Sequence, residues 1–201
     1  DEGNEVFISK NDNPKRKLKY TLEIIKVKKI LVGVNTHFAN KIAYHGLSKN
    51  LVKEISNNDI IRPEVFFNKE TRFDFFIEKN KQKIFVEVKN VTLFRDKKIA
   101  EFPDAVTSRG SKHLKALIKA IKKGYKSYLL FLVQIEGVEN FKIAKDIDKV
   151  YYENYLLAKK AGVKFLAYRC KINSKEIKIE KKIKIINGWL FRKIWKNASS
   201  R

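Results

Sequence analysis

The central part of the chain reads Arg72-Phe-Asp-Phe-Phe-Ile77, then the polar connection Lys79-Asn-Lys-Gln82, then Lys83-Ile-Phe-Val-Glu-Val-Lys89. Both flanking stretches are rich in Phe, Ile and Val, residues that favour the pleated, half-buried surface of a sheet. Two such stretches separated by a short polar connection predict a β-hairpin. The hairpin forms the predicted centre of a sheet, and the elements on either side of it indicate the fold class.

Three charged side chains interrupt this apolar hairpin. Side chains two positions apart share one face of a strand, so Glu87 and Lys89 are predicted to point the same way, away from Val86 and Val88. Asp74 lies on the preceding strand, where it is placed to face Glu87. The hairpin is therefore predicted to bring two carboxylates and one ammonium group together on the sheet.

A helix is predicted before the hairpin. Thr36 is placed to cap it, Phe38 and Ile42 fall on one face, and Gly46 is predicted to end it after about Tyr44. The short elements expected between this helix and the hairpin are a turn at 51–55 and a strand at 64–67.

An amphipathic helix is predicted after the hairpin, over residues 108–123. Its apolar residues recur at positions i, i+3, i+4 and i+7, and Gly124 is placed to stop it. Four lysines fall off the apolar stripe and form a basic flank: Lys112, Lys115, Lys119 and Lys122. The elements expected further on are a buried strand at 128–133, a helix at about 148–161 ended by Gly162, and strands at 163–168 and 177–186. The order αβββαβ followed by αβ is typical of an α/β (α+β) domain with a mixed sheet.

The first 35 residues have a different pattern. Short β-rich stretches are predicted at 6–8, 18–25 and 30–34, with the turn signal Asp12-Asn-Pro14 between the first two. A basic group, Lys15, Arg16 and Lys17, follows that turn. Three short strands are too few for an independent barrel. We expect this segment to end a domain whose first strands precede Asp1, and the absence of methionine from the chain supports that expectation.

The charge balance indicates the kind of partner. The chain carries 45 Lys and Arg residues against 22 Asp and Glu residues, a formal net charge of +23 at pH 7. An excess of this size predicts a polyanionic partner, with nucleic acid favoured over an anionic membrane surface. Compositional drift is the third explanation, because the chain is rich in Lys, Ile and Asn. Drift alone should not leave the acidic residues at half the basic count.

Composition also argues against several classes of protein. No apolar run approaches the roughly 20 residues of a membrane span, and we expect no signal peptide. The single Cys170 cannot form an internal disulfide, which favours a reducing cytoplasm. One cysteine and three histidines argue against a structural zinc site.

The carboxylates of the hairpin are hard oxygen ligands. If Asp74 and Glu87 converge, they are able to bind Mg²⁺ or Mn²⁺, whose other positions take water and phosphate oxygens. The metal would lower the pKa of a water, and Lys89 would orient that water or neutralise charge on phosphorus. This D…ExK arrangement on a hairpin is the signature of the PD-(D/E)XK nucleases. Glu-x-Lys triplets are common in lysine-rich chains, however, and the alternative is a solvated strand face.

Most of the chain, about residues 6–186, resembles the sugar fermentation stimulation protein A (SfsA) family. The most specific similarity lies in Phe102-Pro-Asp-Ala-Val-Thr107 and Arg109-Gly-Ser-Lys-His-Leu114. Further similar segments follow in the same order as in the family: 12–23, 33–36, 72–75, 87–93 and 167–170. The resemblance implies DNA binding of low sequence specificity and a link to sugar catabolism. It also implies partial N-terminal OB-like β strands over 1–35 and a PD-(D/E)XK-like αβββαβ mixed-sheet domain over 36–186. The remaining residues, 187–201, form a basic aromatic tail to which the resemblance does not extend.

The resemblance implies roles for single residues. Asp74 and Glu87 match the metal carboxylates of the family, and Lys89 matches its catalytic lysine. The residues expected to contact DNA are Arg109, Lys112, His113 and Lys115 on the basic helix, with Lys15, Arg16 and Lys17 near the start of the chain. Asp104 would reach the metal through water. The alternative for this block is a loop-and-cap structure, in which Asp104 binds backbone N–H groups and His113 packs against the core.

A few other polar residues are given expectations. Gln134 follows a buried strand and is either a polar active-site residue or a simple polar strand end. His45 stands where the family tends to carry a Glu on its first helix, which makes chemistry with two metals less expected. Asp146 and Asp148 are expected to mark the start of a helix rather than to bind a metal.

Two functions remain open at this point. One is a magnesium-dependent DNA phosphodiesterase that uses Asp74, Glu87 and Lys89. The other is a non-catalytic DNA-binding regulator of sugar-catabolism genes that retains the nuclease fold. An RNA-binding protein is a third reading, because nothing in the sequence separates DNA from RNA.

Overall fold

The computed structural model describes residues 2–186, so the tail predicted over 187–201 lies outside the described residues. The α-helices of the described part are α1 (Ala39–Ser48), α2 (Ser108–Lys122) and α3 (Lys149–Lys160). Its strands are β1 (Val6–Lys10), β2 (Tyr20–Val27), β3 (Ile30–Gly33), β4 (Ile60–Asn68), β5 (Thr71–Lys79), β6 (Gln82–Val91), β7 (Leu93–Asp96), β8 (Ile99–Phe102), β9 (Lys126–Val133), β10 (Asn140–Ile143), β11 (Lys164–Ile172), β12 (Ile177–Lys182) and β13 (Lys184–Ile185). Single 3₁₀ turns at Thr36–Phe38 and Lys53–Ile55 flank α1.

A mixed six-stranded sheet forms the centre of the fold, in the order β12-β11-β9-β6-β5-β4. The pairs β4–β5, β5–β6 and β11–β12 are antiparallel, whereas β6–β9 and β9–β11 are parallel. Parallel neighbours need crossover connections, and here these contain α2 and α3. The predicted α/β (α+β) class, the mixed sheet and the β5–β6 hairpin are confirmed.

Hydrophobic cores lie on both faces of this sheet. On one face Ile84, Val86 and Val88 of β6 pack with residues of α1. On the other face Phe85 and Val91 of β6 pack with residues of α2 and α3. The alternation along β6 is that of a strand buried on both sides. Glu87 and Lys89 therefore lie on the α2 face of the sheet.

Helix α1 differs from its predicted boundaries. It begins at Ala39 with Phe38 as N-cap and no side-chain cap, and Thr36 lies in the preceding 3₁₀ turn, where Asn35 accepts the capping hydrogen bond from the backbone N–H of His37. Gly46 lies inside the helix, which runs to Ser48, so its prediction as a stop was wrong. A Cβ on Gly46 would lie 2.4 Å from the Cδ1 of Ile179. The glycine allows α1 to approach β12 closely rather than ending the helix.

Helix α2 begins and ends where the sequence predicted. Thr107 caps it by accepting a hydrogen bond from the N–H of Gly110, and Asp148 in turn accepts one from the N–H of Thr107. Lys123 is its C-cap, and Gly124 has the positive φ of 85° that favours glycine after a helix. Asp148 also caps α3 through the N–H of Tyr151, as expected of a residue at the start of a helix.

A second, four-stranded sheet, in the order β13-β10-β8-β7, was not predicted. Its strands have only two to four residues, too short for a clear alternating pattern. Arg95 on β7 binds the buried carboxylate of Glu101 on β8 and the carboxylate of Asp146 after β10. Asp146 thus belongs to an ion-pair cluster, and its prediction as a helix-start residue was wrong.

The first three strands form an antiparallel sheet in the order β1-β2-β3. This sheet joins the rest of the molecule through β3, where Val32 bridges Ile135 and the N–H of Gly33 donates to the carbonyl of Gln134 at 3.0 Å. A Cβ on Gly33 would lie 2.4 Å from the Oε1 of Gln134 and 2.9 Å from the Cδ1 of Ile177, so a larger residue here would require these side chains to move.

No helix within residues 2–186 combines the length and the apolar composition that crossing a membrane requires.

Candidate active site

The candidate site lies where strands β5 and β6 separate. Their backbone pairing ends at Phe75 and Val86, one residue before Asp74 and Glu87. Beyond this point the N–H of Val88 donates to Oδ2 of Asp74 at 2.7 Å instead of to a strand carbonyl. The Nδ2 of Asn40, on α1, donates to Oδ1 of the same carboxylate at 2.8 Å. Asp74 is thus held on both oxygens, at a fork in the sheet.

The two oxygens of Glu87 have different surroundings. Oε1 accepts a hydrogen bond from the Nζ of Lys89 at 2.7 Å and another from the Nδ1 of His113 on α2. Oε2 is buried and has no hydrogen-bond partner among the described residues. The whole residue is only 2% exposed. A buried carboxylate oxygen without a partner is costly, and it marks a place where a cation or water is expected.

The contacts of Glu87 fix the proton on the imidazole of His113. An ionised carboxylate only accepts hydrogen bonds, so Nδ1 of His113 must carry a hydrogen and donate it. The Nζ of Lys89 lies 3.4 Å from the same Nδ1, but an ammonium group cannot accept that hydrogen. Lys89 and His113 are therefore two parallel donors to one oxygen, and they leave the other oxygen free.

The pKa values of the two carboxylates shift in opposite directions. Burial and the nearby charge of Glu87 raise the pKa of Asp74 to about 6. Burial also acts to raise the pKa of Glu87, but the hydrogen bond from His113 and the charge of Lys89 outweigh it and hold that pKa below its ordinary value. The repulsion between the two carboxylates therefore mainly raises the pKa of Asp74. A bound cation would relieve this repulsion.

The donor set fits a hard cation, with part of its shell supplied from outside. Within residues 2–186, no group of three or more His, Cys, Asp or Glu side chains forms a metal site on its own. Asp74 and Glu87 provide carboxylate oxygens, which suit Mg²⁺, Mn²⁺ or Ca²⁺. Mg²⁺ commonly binds through one or two carboxylates and keeps waters or substrate phosphates as its other ligands.

A basic cleft of about 740 Å³ lies beside these residues, between α2 and the β4–β5 turn. Its basic lining residues are Arg72, Arg109, Lys112, His113, Lys115 and Lys119. Asp74 and Glu87 do not line the cleft themselves, but His113 does, and its imidazole contacts Glu87, so this residue connects the cleft to the carboxylates. The lysines of the basic flank that line the cleft are exposed, as their position off the apolar stripe predicts.

The structure brings together only part of the predicted site. Arg109, Lys112, His113 and Lys115 share the cleft beside the carboxylates. Lys15, Arg16 and Lys17 lie exposed in the connection between β1 and β2, where Arg16 donates to the hydroxyl of Thr21. None of the contacts found among the described residues links these three to the cleft.

Asp104 and Gln134, the two further polar residues considered for the site, make no hydrogen bond to the carboxylates within the described residues. Asp104 is exposed in the loop before α2, and its side chain makes no hydrogen bond or ion pair within the described chain. The Nε2 of Gln134 donates to Asn90 at 2.6 Å, and by strand alternation Asn90 faces away from Lys89. Gln134 therefore acts at the junction with β3, as the alternative of a polar strand end predicted.

The α1 residue that contacts the site is Asn40, which the sequence analysis did not predict. His45 is exposed near the end of α1, and its charge acts on Glu176 rather than on Asp74. The expectation that its identity weakens two-metal chemistry therefore loses its basis. Asn40, one and a half turns earlier, holds Asp74 instead. Asn40 carries no charge and belongs to no motif, so only the packing of α1 against the sheet reveals it.

Comparison with known proteins gives the family. The description "Sugar fermentation stimulation protein RE domain" matches residues 37–176, and "SfsA N-terminal OB domain" matches residues 1–34. The chain is 85% identical over 188 residues to the Sugar fermentation stimulation protein homolog of Pelagibacter ubique, covering 94% of this chain and 81% of that protein. It is 40% identical over 187 residues to the homolog of Pseudoalteromonas atlantica, covering 92% and 80%.

A solved structure agrees with this result. SfsA of Pyrococcus furiosus in complex with Ca²⁺ superposes with a TM-score of 0.82 at 26% identity, covering 90% of this chain and 78% of that one. The chain belongs to the sugar fermentation stimulation protein family, SfsA.

Proposed function

We propose that this protein binds DNA through its basic cleft, with low sequence specificity, and cleaves the phosphodiester backbone at Asp74, Glu87 and Lys89 with Mg²⁺ or Mn²⁺. The cleft joins cationic side chains to carboxylates, the pair of features that a metal-dependent nuclease needs. No element of the described chain is an obvious reader of base edges, which supports contacts to the backbone rather than to sequence.

The single observation that carries this proposal is the free Oε2 of Glu87. A purely structural Glu87 would have both oxygens paired, because the second oxygen is buried. Here both donors converge on Oε1 and leave Oε2 without a donor, and the charge of Glu87 acts on Asp74, whose pKa is raised to about 6. This combination supports a cation-binding site where β5 and β6 separate.

The nature of the expected cation is supported by a relative. SfsA of Pyrococcus furiosus was solved with Ca²⁺, which prefers oxygen ligands as Mg²⁺ does. When bound, a cation of this class supplies Lewis-acid activation of water and stabilisation of charge on the phosphate. Asp74 and Glu87 are the residues that would hold it.

The chain's own residues have separate tasks in this proposal. Lys89 lies 2.7 Å from Glu87 and is 14% exposed at its side chain, so its ammonium group is close to the carboxylates yet reachable by a phosphate. His113 fixes the orientation of Glu87. Arg109, Lys112 and Lys115 line the cleft and would hold the neighbouring phosphates.

The proposal is tested by cleavage of plasmid, single-stranded and branched DNA with Mg²⁺, Mn²⁺ or EDTA. Glu87→Gln should abolish cleavage but keep DNA binding, since it removes a ligand charge at constant size. Lys89→Ala should lose cleavage, but calorimetry should still detect Mn²⁺ binding, because both carboxylates remain. If the wild type cleaves no form of DNA with either metal while binding stays tight, the enzyme proposal is abandoned.

One observation favours the second candidate, a DNA-binding regulator without turnover. Lys89 and His113 both donate to Oε1 of Glu87, so groups of the protein itself already stabilise this carboxylate. In that case the cleft alone would carry the function. Tight DNA binding that is equal with and without divalent metal, and no cleavage, would support it.

A further inference from the structure

A second, apolar pocket adjoins the other side of Asp74. Its volume is about 290 Å³, and it lies between α1 and the β4–β5 pair. The ring of Tyr44 and the side chains of Pro63 and Phe75 supply its apolar walls, with Asp74 and Glu64 at its polar edge. Asn40, which holds Asp74, lies one helical turn before Tyr44 and on the same face of α1. The pocket and the candidate site therefore share a carboxylate.

The aromatic wall of this pocket is open to solvent. Tyr44 is 45% exposed, although its ring packs against buried Phe75 at 6.3 Å between centroids with an interplanar angle of 30°. Lys41 also lines the pocket, and its Nζ lies 4.9 Å from the ring centroid of Phe38, which is 41% exposed. An exposed aromatic ring beside a cation, at the mouth of a pocket, is what a stacking site for a nucleotide needs.

The backbone of β4 is distorted at this place. Glu64 has a φ of 56°, the left-handed region, although it is not glycine and lies within a strand. It falls between Pro63, paired with Phe75, and Val65, paired with Phe73, so it lies opposite Asp74. A non-glycine residue in this region costs about 1 kcal/mol or more, and such strain clusters at ligand sites. The distortion lies at the wall of the pocket next to the candidate metal carboxylate.

Pocket and basic cleft are connected. Arg72 lines the cleft, and its guanidinium donates to the carboxylate of Glu64 at 2.7 Å. The Arg72–Glu64 pair therefore lies between the cleft on the α2 face and the pocket on the α1 face, at the edge strand β4. A nucleic-acid strand that occupies both would have to cross this edge. The cationic cleft selects a polyanion, and the apolar pocket requires that polyanion to carry a flat, apolar group with polar edges.

We propose that the Tyr44 pocket binds the base of an unpaired nucleotide next to the phosphate that a cation at Asp74 and Glu87 would hold. This inference rests on the proposed binding of DNA in the basic cleft, but not on cleavage. The base stacks on Tyr44, and Glu64 accepts a hydrogen bond from an amino group on its edge. A paired base is covered on both faces within the duplex and cannot enter, so the pocket selects single-stranded, gapped or flapped DNA.

The test measures the binding of matched oligonucleotides in Ca²⁺ by Tyr44→Ala and by the control Tyr44→Phe, which keeps the ring. Tyr44→Ala should weaken the binding of a single-stranded or gapped oligonucleotide by about ten-fold, the range for loss of one stacked base. Its affinity for a blunt duplex should stay within about two-fold, because phosphate contacts dominate there. Tyr44→Phe should match the wild type on both DNAs.

A 2-aminopurine base in the gap gives a direct readout of stacking. Its emission should be quenched by the wild type and by Tyr44→Phe, and much less by Tyr44→Ala at saturating protein. Equal single-strand affinity and equal quenching for all three proteins would overturn the base pocket and leave an apolar partner segment as its occupant. Failure of the underlying DNA proposal differs, since the wild type would then bind neither duplex nor single strand. Circular dichroism checks that Tyr44→Ala is folded.

Discussion

The imidazole of His113 on helix α2 lies against the carboxylate of Glu87 on strand β6, with Nδ1 donating to Oε1. The helix that lines the basic cleft therefore also holds one of the candidate metal carboxylates. Because α2 is packed firmly through Leu114 and Leu117, both fully buried, the cleft and the carboxylate form one rigid unit. If DNA binds along α2 as proposed, its backbone would lie close to Glu87.

This contact predicts a positioning role for His113, which the sequence had indicated as a DNA contact. His113→Ala should lower metal-dependent cleavage by roughly ten-fold or more, since partners that orient a metal ligand commonly have effects of that size. Duplex affinity, measured by fluorescence anisotropy, should change by less than about two-fold. His113→Asn, whose amide can still donate to Glu87, should recover part of the activity.

Lys112 provides the matched control, because it is the neighbouring residue in the same cleft but has no contact with Glu87 among those found in the described chain. Lys112→Ala should weaken binding, seen as a raised KM, with kcat nearly unchanged. If His113→Ala weakened binding as Lys112→Ala does and left kcat intact, the imidazole would be a DNA contact after all.

Cys170 is predicted to be inert in the folded protein. It is 1% exposed, and burial together with the charge of Glu180 raises the pKa of its thiol to about 12. Only the thiolate reacts at an appreciable rate, so labelling at pH 8 should be at least about 100-fold slower in the native state than in urea. Mass spectrometry after iodoacetamide treatment measures this ratio. Rapid native labelling would mean that β11 opens readily.

The central sheet and the hairpin could be predicted because local sequence patterns determine their strands. Alternation along β5 and β6 gave the strands and placed Glu87 and Lys89 on one face, and helical spacing gave α2. The sheet formed by β7, β8, β10 and β13 could not be predicted, because strands of two to four residues carry no period. Their partners are set by packing between segments far apart in the chain.

The candidate site was predictable only where its residues are local in the chain. Asp74, Glu87 and Lys89 lie on one hairpin, so strand geometry alone brings them together. Asn40 reaches Asp74 across 34 positions, and His113 reaches Glu87 across 26. Contacts of this kind depend on how α1 and α2 pack on the sheet. Gly46 shows the same limit, since its reason for being glycine is Ile179 on a distant strand.

The lysines of α2 are predicted to carry a large share of the DNA affinity. Reversal of Lys112, Lys115 and Lys119 to Glu should weaken duplex binding by at least about 100-fold at low salt and flatten its dependence on salt, because fewer counterions are then released. Circular dichroism should be unchanged, since these side chains are exposed. Fluorescence titrations at several salt concentrations measure both effects.

A control with the same change in net charge is available on the opposite edge of the central sheet. Lys171, Lys175 and Lys181 are exposed on or between β11 and β12, and their reversal to Glu changes the charge by the same amount. This control should retain most of the affinity. Equal losses in the two triple variants would show that net charge, and not the cleft, governs binding.

The last prediction concerns the stability of the metal-free protein. Because burial and Glu87 raise the pKa of Asp74 from 3.8 to about 6, the folded state binds this proton more tightly than the unfolded state does. Stability should therefore fall as the pH rises through the window from about 4 to about 6, and remain lower above it. The cost at pH 8 is on the order of 3 kcal/mol, because each pKa unit corresponds to about 1.4 kcal/mol. Asp74→Asn removes the charge, so in EDTA it should raise the free energy of unfolding at pH 8.

Two controls test this prediction: the same variant at pH 4, and the corresponding change at Asp146. At pH 4 the gain from Asp74→Asn should vanish, because the wild-type carboxyl is then protonated. Asp146→Asn should have the opposite sign at pH 8, since the hydrogen bond from Arg95 lowers the pKa of Asp146 to about 2 and its charge is favourable. Urea unfolding at both pH values measures these differences. Adding Ca²⁺ should stabilise the wild type and not Asp74→Asn. A lower stability of Asp74→Asn at pH 8 in EDTA would show that the carboxylates at the fork do not repel each other, and the case for a cation between them would fail.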